Sequence, residues 1–455
     1  MKRDAIDFKN DKVSALFRKL LIPTLMGTLA ISAMTAIDGI VIGHGVGADG
    51  VAAVNIIVPV YQIMSGLGLM VGAGCSVVAS IHLSKGKLKV ARLNVTQAIA
   101  ATSLIIMLLC AAMIVMPKEV ARLLGSSETL LPQVCDYMLW MTPGFLMDAW
   151  ILIGLFTVRL DGAPKFAMWC NIIPAIFNGV LDWLFVFPLG MGVKGAAIAT
   201  SISMAIGALM IIAYLAFFAR SLRLIPLKMS RKSLALSLRN IGYQCRIGSS
   251  SLLGELTMAI LIYMGNIVFM RLLGDDGVGA FGIACYYAPF FFMIGNAVAQ
   301  AAQPIISFNY GIGNLDRVRQ AFRLLLATAV GIGVGVTLLF VFAPHWLVGL
   351  FVDTQSHAGQ IAIDGFPYFA TGVVTFIVNV AIIGYYQSLE RMVRATTLVF
   401  LRGFLLLVPI YLLLPECIGL PCAWLSMPLT ELLTLVVALL MLGGKIHRPR
   451  AGRTK

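Results

Sequence analysis

The feature that most constrains this chain is a series of twelve long apolar segments separated by short polar loops. A stretch of about 20 apolar residues is enough for a helix to cross about 30 Å of hydrocarbon. The pattern therefore predicts an all-α polytopic membrane protein with twelve transmembrane helices. The predicted spans are near 15–43, 51–82, 92–116, 131–158, 167–188, 193–219, 242–272, 277–307, 318–342, 359–387, 393–415 and 419–442.

Composition excludes a soluble enzyme, because 60% of the 455 residues are hydrophobic and only 12% are charged. We therefore expect neither enzymatic activity nor a cofactor. The net charge of +14 comes from basic residues in loops between the apolar segments, so we expect no nucleic-acid partner. The eight cysteines form no CxxC pair and are interpreted as small core residues.

The distribution of basic residues predicts the orientation. Of the 34 Lys and Arg residues, 30 fall at the two termini or in alternate loops on one side of the predicted bundle. Basic residues are retained on the cytoplasmic side. We thus expect an integral protein of the cell (inner or plasma) membrane with both termini cytoplasmic. No cleavage site follows the polar stretch 1–14, so the first helix is expected to remain in the mature protein.

The chain also repeats itself. A shift of 227 residues places Gly47–Ala53 on Gly274–Ala280, and the same shift places Gly86 on Gly313 and Gly192 on Gly419. Transporters are often built from duplicated bundles with the transport site between them. Each half has six predicted helices, and since six is even, both halves should insert with the same orientation.

The repeat predicts two pseudo-symmetric six-helix lobes joined by a basic connector. We interpret the connector as a solvated cytoplasmic loop and compliant tether, with a lipid-binding switch as the alternative. The predicted parts are an amino-terminal lobe (1–219), the connector (220–240), a carboxyl-terminal lobe (241–442) and a basic cytoplasmic tail (443–455).

Ionisable groups inside the spans are few, and such groups are costly unless they are paired or face water. Asp38, Asn178, Asp182 and Thr200 lie about 7–11 Å in from the outer ends of the first, fifth and sixth helices at 1.5 Å per residue. Two carboxylates, an amide and a hydroxyl at one depth predict a site for H⁺ or Na⁺. The alternative is that each acid bonds locally and the two never meet.

Three segments carry a resemblance to a known family: Pro23–Gly43, Asn178–Thr200 and Gly248–Tyr287 resemble the multidrug and toxic compound extrusion (MATE) family. The resemblance covers nearly the whole chain. In that family an acid on the first helix, an Asn and an Asp on the fifth and a Thr on the sixth form a cation site. The resemblance implies that the residues that couple transport to the cation are Asp38, Asn178, Asp182 and Thr200.

The resemblance implies a secondary antiporter that exports amphiphilic, often cationic, drugs or toxic compounds in exchange for H⁺ or Na⁺ by alternating access. Its partners would be small-molecule substrates and membrane lipid, and we expect a monomer. The alternative is a flippase for a lipid-linked saccharide. A flippase should line its cavity with several Arg or Lys residues to hold a pyrophosphate, and Arg402 is the main basic residue within the spans.

The second lobe departs from the family pattern. Some members use acids on the seventh and tenth helices, but here only Glu255 on the seventh fits, and the tenth offers Asn379 instead of an acid. Glu255 is either a protonatable, cation-attracting group acting alone or a structural acid. The roles of Asp148 and Glu431, which are also intramembrane acids, stay open.

Pro23 is predicted to be a hinge in the first helix, because proline removes a backbone donor. Its alternative role is to start the buried part of that helix. Aromatic and Met side chains suit organic cations, although ordinary helix packing is the alternative. The candidate substrate-lining residues on the eighth helix are Tyr286, Tyr287, Phe290 and Met293.

Overall fold

The structure is a computed structural model that describes residues 6–227, 230–418 and 421–442. These residues form helices and contain no β-strand. Eleven helices are long and apolar enough to cross a membrane, and a pair bent by 50° makes a twelfth span. The predicted all-α fold is confirmed. In chain order the spans are α1 (Val13–Gly45), α2 (Asp49–Ser84), α3 (Leu88–Val115), α4 (Leu131–Leu160), α5 (Pro164–Val186), α6 (Gly192–Phe218), α7 (Ser233–Gly274), α8 (Asp276–Gly311), α9 (Leu315–Phe342), the bent pair α10 (His357–Ala370 and Val373–Ser388), α11 (Met392–Pro415) and α12 (Ala423–Leu442).

The repeat is visible in the backbone as well as in the sequence. Gly47, between α1 and α2, has φ 92° and ψ −165°, and Gly274, between α7 and α8, has φ 63° and ψ −149°. Gly86 and Gly313, at the next turn of each half, have φ values of 72° and 78°. A side chain is strained at positive φ, so glycine is needed at each of these turns. Gly419 lies outside the described residues.

The chain divides into two compact units. The first comprises Met1–Asp11 and Arg18–Leu252, and the second comprises Lys12–Phe17 and Leu253–Lys455. Helix α7 therefore belongs to the first unit up to Leu252 and to the second unit beyond it. In the first unit α4 is the central helix and packs against α2, α3, α5 and α6.

The start of the connector is held on the first unit instead of lying free. The Asp161 carboxylate, at the end of α4, accepts hydrogen bonds from the backbone N–H groups of Ser221 and Leu222 at 2.7 and 3.0 Å and from the Tyr214 hydroxyl at 2.8 Å. Arg92 donates to the Ser221 carbonyl at 3.0 Å. A solvated loop therefore describes this part of the connector poorly, because its backbone polar groups are bound by α3 and α4.

The helix that contains α7 begins at Arg231, eleven residues before the apolar pattern predicts. The extra turns are polar and pair with α3: Gln97 donates to Ser237 at 2.7 Å and accepts from Asn240 at 3.3 Å. Helical backbone thus extends beyond the apolar stretch because its polar side chains have partners. The basic tail 443–455 lies outside the described residues.

The core of the second unit is aromatic. Buried rings from five of its helices pack with centroid distances between 4.7 and 6.4 Å. Its members include Phe269, Phe281, Phe291, Phe340, Phe366, Phe369, Phe376 and Trp424. The core of this unit is thus built largely from rings.

Candidate functional site

Four polar side chains that the sequence places at one depth come together in the first unit. Asn178 and Asp182 lie four residues apart on α5, hence on one face, and both are completely buried. The Thr200 hydroxyl on α6 donates to the Ala196 carbonyl at 3.0 Å and accepts from Asn178 Nδ2 at 3.3 Å. The Asp38 carboxyl on α1 interacts with both Asp182 and Asn178.

Oxygen atoms in this cluster lack donors. Asp38 Oδ1, Asn178 Oδ1 and both carboxyl oxygens of Asp182 are buried without a hydrogen-bond partner among the described residues. Within the same residues, no basic side chain interacts with either carboxyl. Two desolvated carboxylates this close repel each other unless a cation neutralises them. The arrangement can hold a shared proton or a small hard cation such as Na⁺.

Sequence reasoning missed a polar residue that the acids of the cluster influence. Tyr137 is half-buried on α4, and the charges of Asp38 and Asp182 both act electrostatically on its hydroxyl. It lies six residues from Leu131 at the start of α4, about 9 Å along the axis, which matches the depth counted for the other four. Depth counting extended to neutral polar residues would have found it.

An apolar layer lies one helical turn beyond the cluster, toward Gly45 at the end of α1. Val41 and Ile42 follow Asp38 on α1, Val186 follows Asp182 on α5, and Ala196 precedes Thr200 on α6. The layer comprises Val41, Ile42, Val186, Val193 and Ala196, all at most 9% exposed. These side chains pack as one core and separate the polar cluster from the helix ends on that side.

Helix α1 runs without interruption through Pro23, ten residues after its start. Four hydroxyls on α1 also donate to the carbonyl four residues earlier: Thr24, Thr28, Ser32 and Thr35, at 2.7, 2.8, 3.2 and 3.2 Å. Hydroxyls that share these carbonyls weaken the helical ladder and often bend it. Pro23 is therefore one of several features that make α1 easier to bend.

The second unit contains a buried ion pair. Arg402 on α11 donates two hydrogen bonds, from Nη2 at 2.6 Å and Nε at 3.0 Å, to Glu431 Oε1 on α12. Asn379 Nδ2 on α10 donates to Glu431 Oε2 at 2.7 Å. The Arg402 guanidinium lies 4.2 Å over the Phe376 ring, and only 1% of its side chain is exposed. Glu431 is thus neutralised by its neighbours.

The other candidate acids have different surroundings. Glu255 is half-buried on α7, and its side chain has an interaction partner. Asp148 is buried on α4, where Ser65 on α2 donates to its Oδ2 at 2.5 Å. Neither Asp148 nor Glu255 belongs to the four-residue cluster.

Of the candidate substrate-lining residues, Tyr286 is 62% exposed and stacks on Phe351. The Tyr287 hydroxyl donates to the Leu347 carbonyl at 2.9 Å, and its ring packs in the aromatic core. Tyr287 is thus engaged in helix packing. Phe290 and Met293 are half-buried.

Twelve apolar spans in a duplicated chain, with unpartnered acid oxygens inside one unit, define an integral membrane transporter. A family model described as MatE matches residues 23–184 and 251–412, once in each half of the repeat. The chain belongs to the MatE family, the multidrug and toxic compound extrusion transporters, as the resemblance predicted.

Relatives match over nearly their whole lengths. The chain is 26% identical over 435 residues to a protein of Shewanella oneidensis named "FAD transporter", covering 92% of each. It is 23% identical over 449 residues to "Multidrug export protein MepA" of Staphylococcus aureus, covering 95% of this chain and 94% of the relative. A solved structure described as an outward-facing MATE family multidrug resistance transporter superposes with a TM-score of 0.88 at 20% identity, covering 97% of each chain.

Proposed function

We propose that this protein is a secondary antiporter that exports amphiphilic, often cationic, drugs or toxic compounds in exchange for H⁺ or Na⁺ by alternating access. It resides in the cell membrane with both termini cytoplasmic and acts as a monomer, since one chain supplies all the residues of the cluster. The observation that carries the proposal is the meeting of the Asp38 and Asp182 carboxyls: three of their oxygens and the Asn178 amide oxygen are buried and unpartnered, and no basic side chain of the described residues interacts with either carboxyl.

The coupling step follows from the charge of this cluster. When the cluster is dry, Asp38 and Asp182 hold a proton or Na⁺ between them, because two bare carboxylates would repel each other. Asn178 is fixed by its bond to Thr200, so its carbonyl oxygen is available as a further ligand. Hydration of the cluster lowers the cost of separated charges and releases the cation. Substrate and cation then bind in alternation, which is the basis of exchange.

The proposed substrate class is inferred from the charged side chains within the spans. The Staphylococcus relative is named for multidrug export and the Shewanella relative for FAD, so family membership alone leaves the class open. The acid cluster favours organic cations. Arg402, the main basic residue within the spans, is buried and bound to Glu431, so it is not free to hold a pyrophosphate. This pairing weighs against both the lipid-linked saccharide flippase and an anionic dinucleotide substrate.

The test is uptake of a fluorescent organic cation into everted membrane vesicles under an imposed pH or Na⁺ gradient. We expect one of the two gradients to drive uptake and its collapse to stop it. The Asp182→Asn variant, with normal amounts in the membrane, should lose gradient-driven uptake. Uptake that ignored both gradients would refute the antiporter, and a lipid-flipping assay would then test the flippase.

A further inference from the structure

Asp148 is a buried acid that the coupling step does not use. It lies on α4, the central helix of the first unit, with 8% of its surface exposed. Ser65 on α2 donates to its Oδ2 at 2.5 Å. The two helices are close there, because a Cβ at Gly68 would lie only 3.2 Å from the Ala149 Cα. The carboxyl is therefore held between two tightly packed helices.

Its electrostatic surroundings contrast with those of Glu431, a buried acid of the second unit. The Glu431 carboxyl receives two hydrogen bonds from the Arg402 guanidinium and one from the Asn379 amide. Around Asp148, no charged or titratable side chain of the described residues on α2, α3, α5 or α6 interacts with the carboxyl; the Ser65 hydroxyl is its one polar contact. A single neutral donor does not offset the cost of burying a charge. The protonated carboxyl is the form that this environment stabilises.

The position of Asp148 relates it to the cation cluster. Tyr137, which interacts with Asp38 and Asp182, precedes Asp148 by eleven residues on α4. Eleven residues are about three helical turns, so the two side chains lie on one face about 16 Å apart along the axis. Between them, Gly144 leaves space for the Ser201 hydroxyl of α6, because a Cβ there would lie 2.9 Å from Ser201 Oγ.

We propose that Asp148 is a second proton-binding site of the first unit, which takes up and releases a proton during the export cycle on the Leu160 side of the cation cluster. The ligand of this site is a proton, whichever cation the Asp38–Asp182 pair binds. This inference rests on the proposed antiport for its role in the cycle. Its central claim, a neutral carboxyl at Asp148, can be tested without transport.

That claim is tested by infrared difference spectroscopy of the purified full-length protein in lipid vesicles at neutral pH. We expect a carbonyl stretching band of a protonated carboxyl group that disappears in Asp148→Asn and shifts in Ser65→Ala, because the latter removes one hydrogen bond. The matched control is Asp136→Asn, which removes an exposed acid from the same helix and should leave the band in place. A spectrum in which Asp148→Asn removes only a carboxylate band would overturn the proposal.

The role in the cycle is tested by the pH profile of export in the same vesicles. Asp148→Asn should lower the maximal rate about tenfold and remove one titration step, with an unchanged KM, while Asp148→Glu should restore the step. A wild-type pH profile in Asp148→Asn would show that the acid is structural and would overturn the role. If wild-type vesicles exported without any gradient, the antiport proposal would fail, yet the infrared result would still decide whether Asp148 binds a proton.

Discussion

The side-chain amide of Asn178 donates a hydrogen bond to the hydroxyl of Thr200 across 3.3 Å. The same hydroxyl donates to the Ala196 carbonyl, so Thr200 meets Asn178 as an acceptor. This relay links α5 to α6 and fixes the amide beside the Asp38 and Asp182 carboxyls. Because the Asn178 amide N–H is used by Thr200, the amide oxygen is left without a donor beside the unpartnered acid oxygens.

Thr200→Val tests this relay, because it keeps the shape of the side chain and removes the acceptor of Asn178. Leaving a buried amide donor unpaired costs about 1–3 kcal/mol. We expect the cation concentration for half-maximal export to rise about tenfold in proteoliposomes. Thr200→Ser, which keeps the hydroxyl, should behave like the wild type. An unaffected Thr200→Val variant would place Asn178 outside the cation site.

Asp38→Asn should mimic the neutralised form of the carboxyl pair. We expect gradient-driven export to be lost, while equilibrium binding of a fluorescent substrate is retained, because one conformation is favoured. Asp136→Asn is the control, since that acid is exposed on α4 and outside the cluster. Export by Asp38→Asn that still followed the pH or Na⁺ gradient would exclude this pair, and Glu255 would become the next candidate.

The apolar layer beyond the cluster should keep water out of it. Ile42 is 2% exposed and packs in that layer one turn from Asp38. We expect Ile42→Asn to hydrate the cluster and to allow cation movement without substrate, measured as dissipation of an imposed pH gradient in vesicles. Ile42→Val, which keeps the layer apolar, should retain the gradient. Equal leak rates in both variants would show that the seal lies elsewhere.

Pro23→Ala restores a backbone donor in α1 and should stiffen the helix. We expect a several-fold lower maximal export rate with nearly unchanged substrate binding, since the change affects bending and not the cluster. The four hydroxyls that bond back along α1 remain, so the loss should be partial. A wild-type rate in this variant would argue against a hinge at Pro23.

The buried Arg402–Glu431 pair gives a prediction about stability. Glu431→Gln leaves the guanidinium without its carboxylate, and breaking a buried ion pair costs about 3–5 kcal/mol. We expect a clearly lower unfolding temperature for the detergent-solubilised variant. The double variant Arg402→Met with Glu431→Leu should recover most of the loss, because it leaves no buried charge. Failure of the double variant to recover would indicate that the pair has a role beyond mutual neutralisation.

Much of the fold was predictable because its signals are local. The apolar stretches that predict twelve spans need no knowledge of distant contacts, since a bilayer imposes its thickness on every helix alike. The turn glycines Gly47 and Gly274 recur at one offset because both halves need the same left-handed turn. The depth of Asp38, Asn178, Asp182 and Thr200 follows from counting residues along single helices.

Only the tertiary structure decided which of these side chains meet and which charges are neutralised. Sequence left Glu431 and Asp148 as two similar intramembrane acids, yet packing gives one an arginine and the other a serine hydroxyl. The depth of Tyr137 could be counted along α4, but only the structure shows that Asp38 and Asp182 act electrostatically on its hydroxyl. The sequence by itself determined the number, length and depth of the helices, because these follow from hydrophobicity along each segment. Which side chains of different helices meet depended on the rotation of each helix about its axis, and this is fixed only when the helices pack against one another.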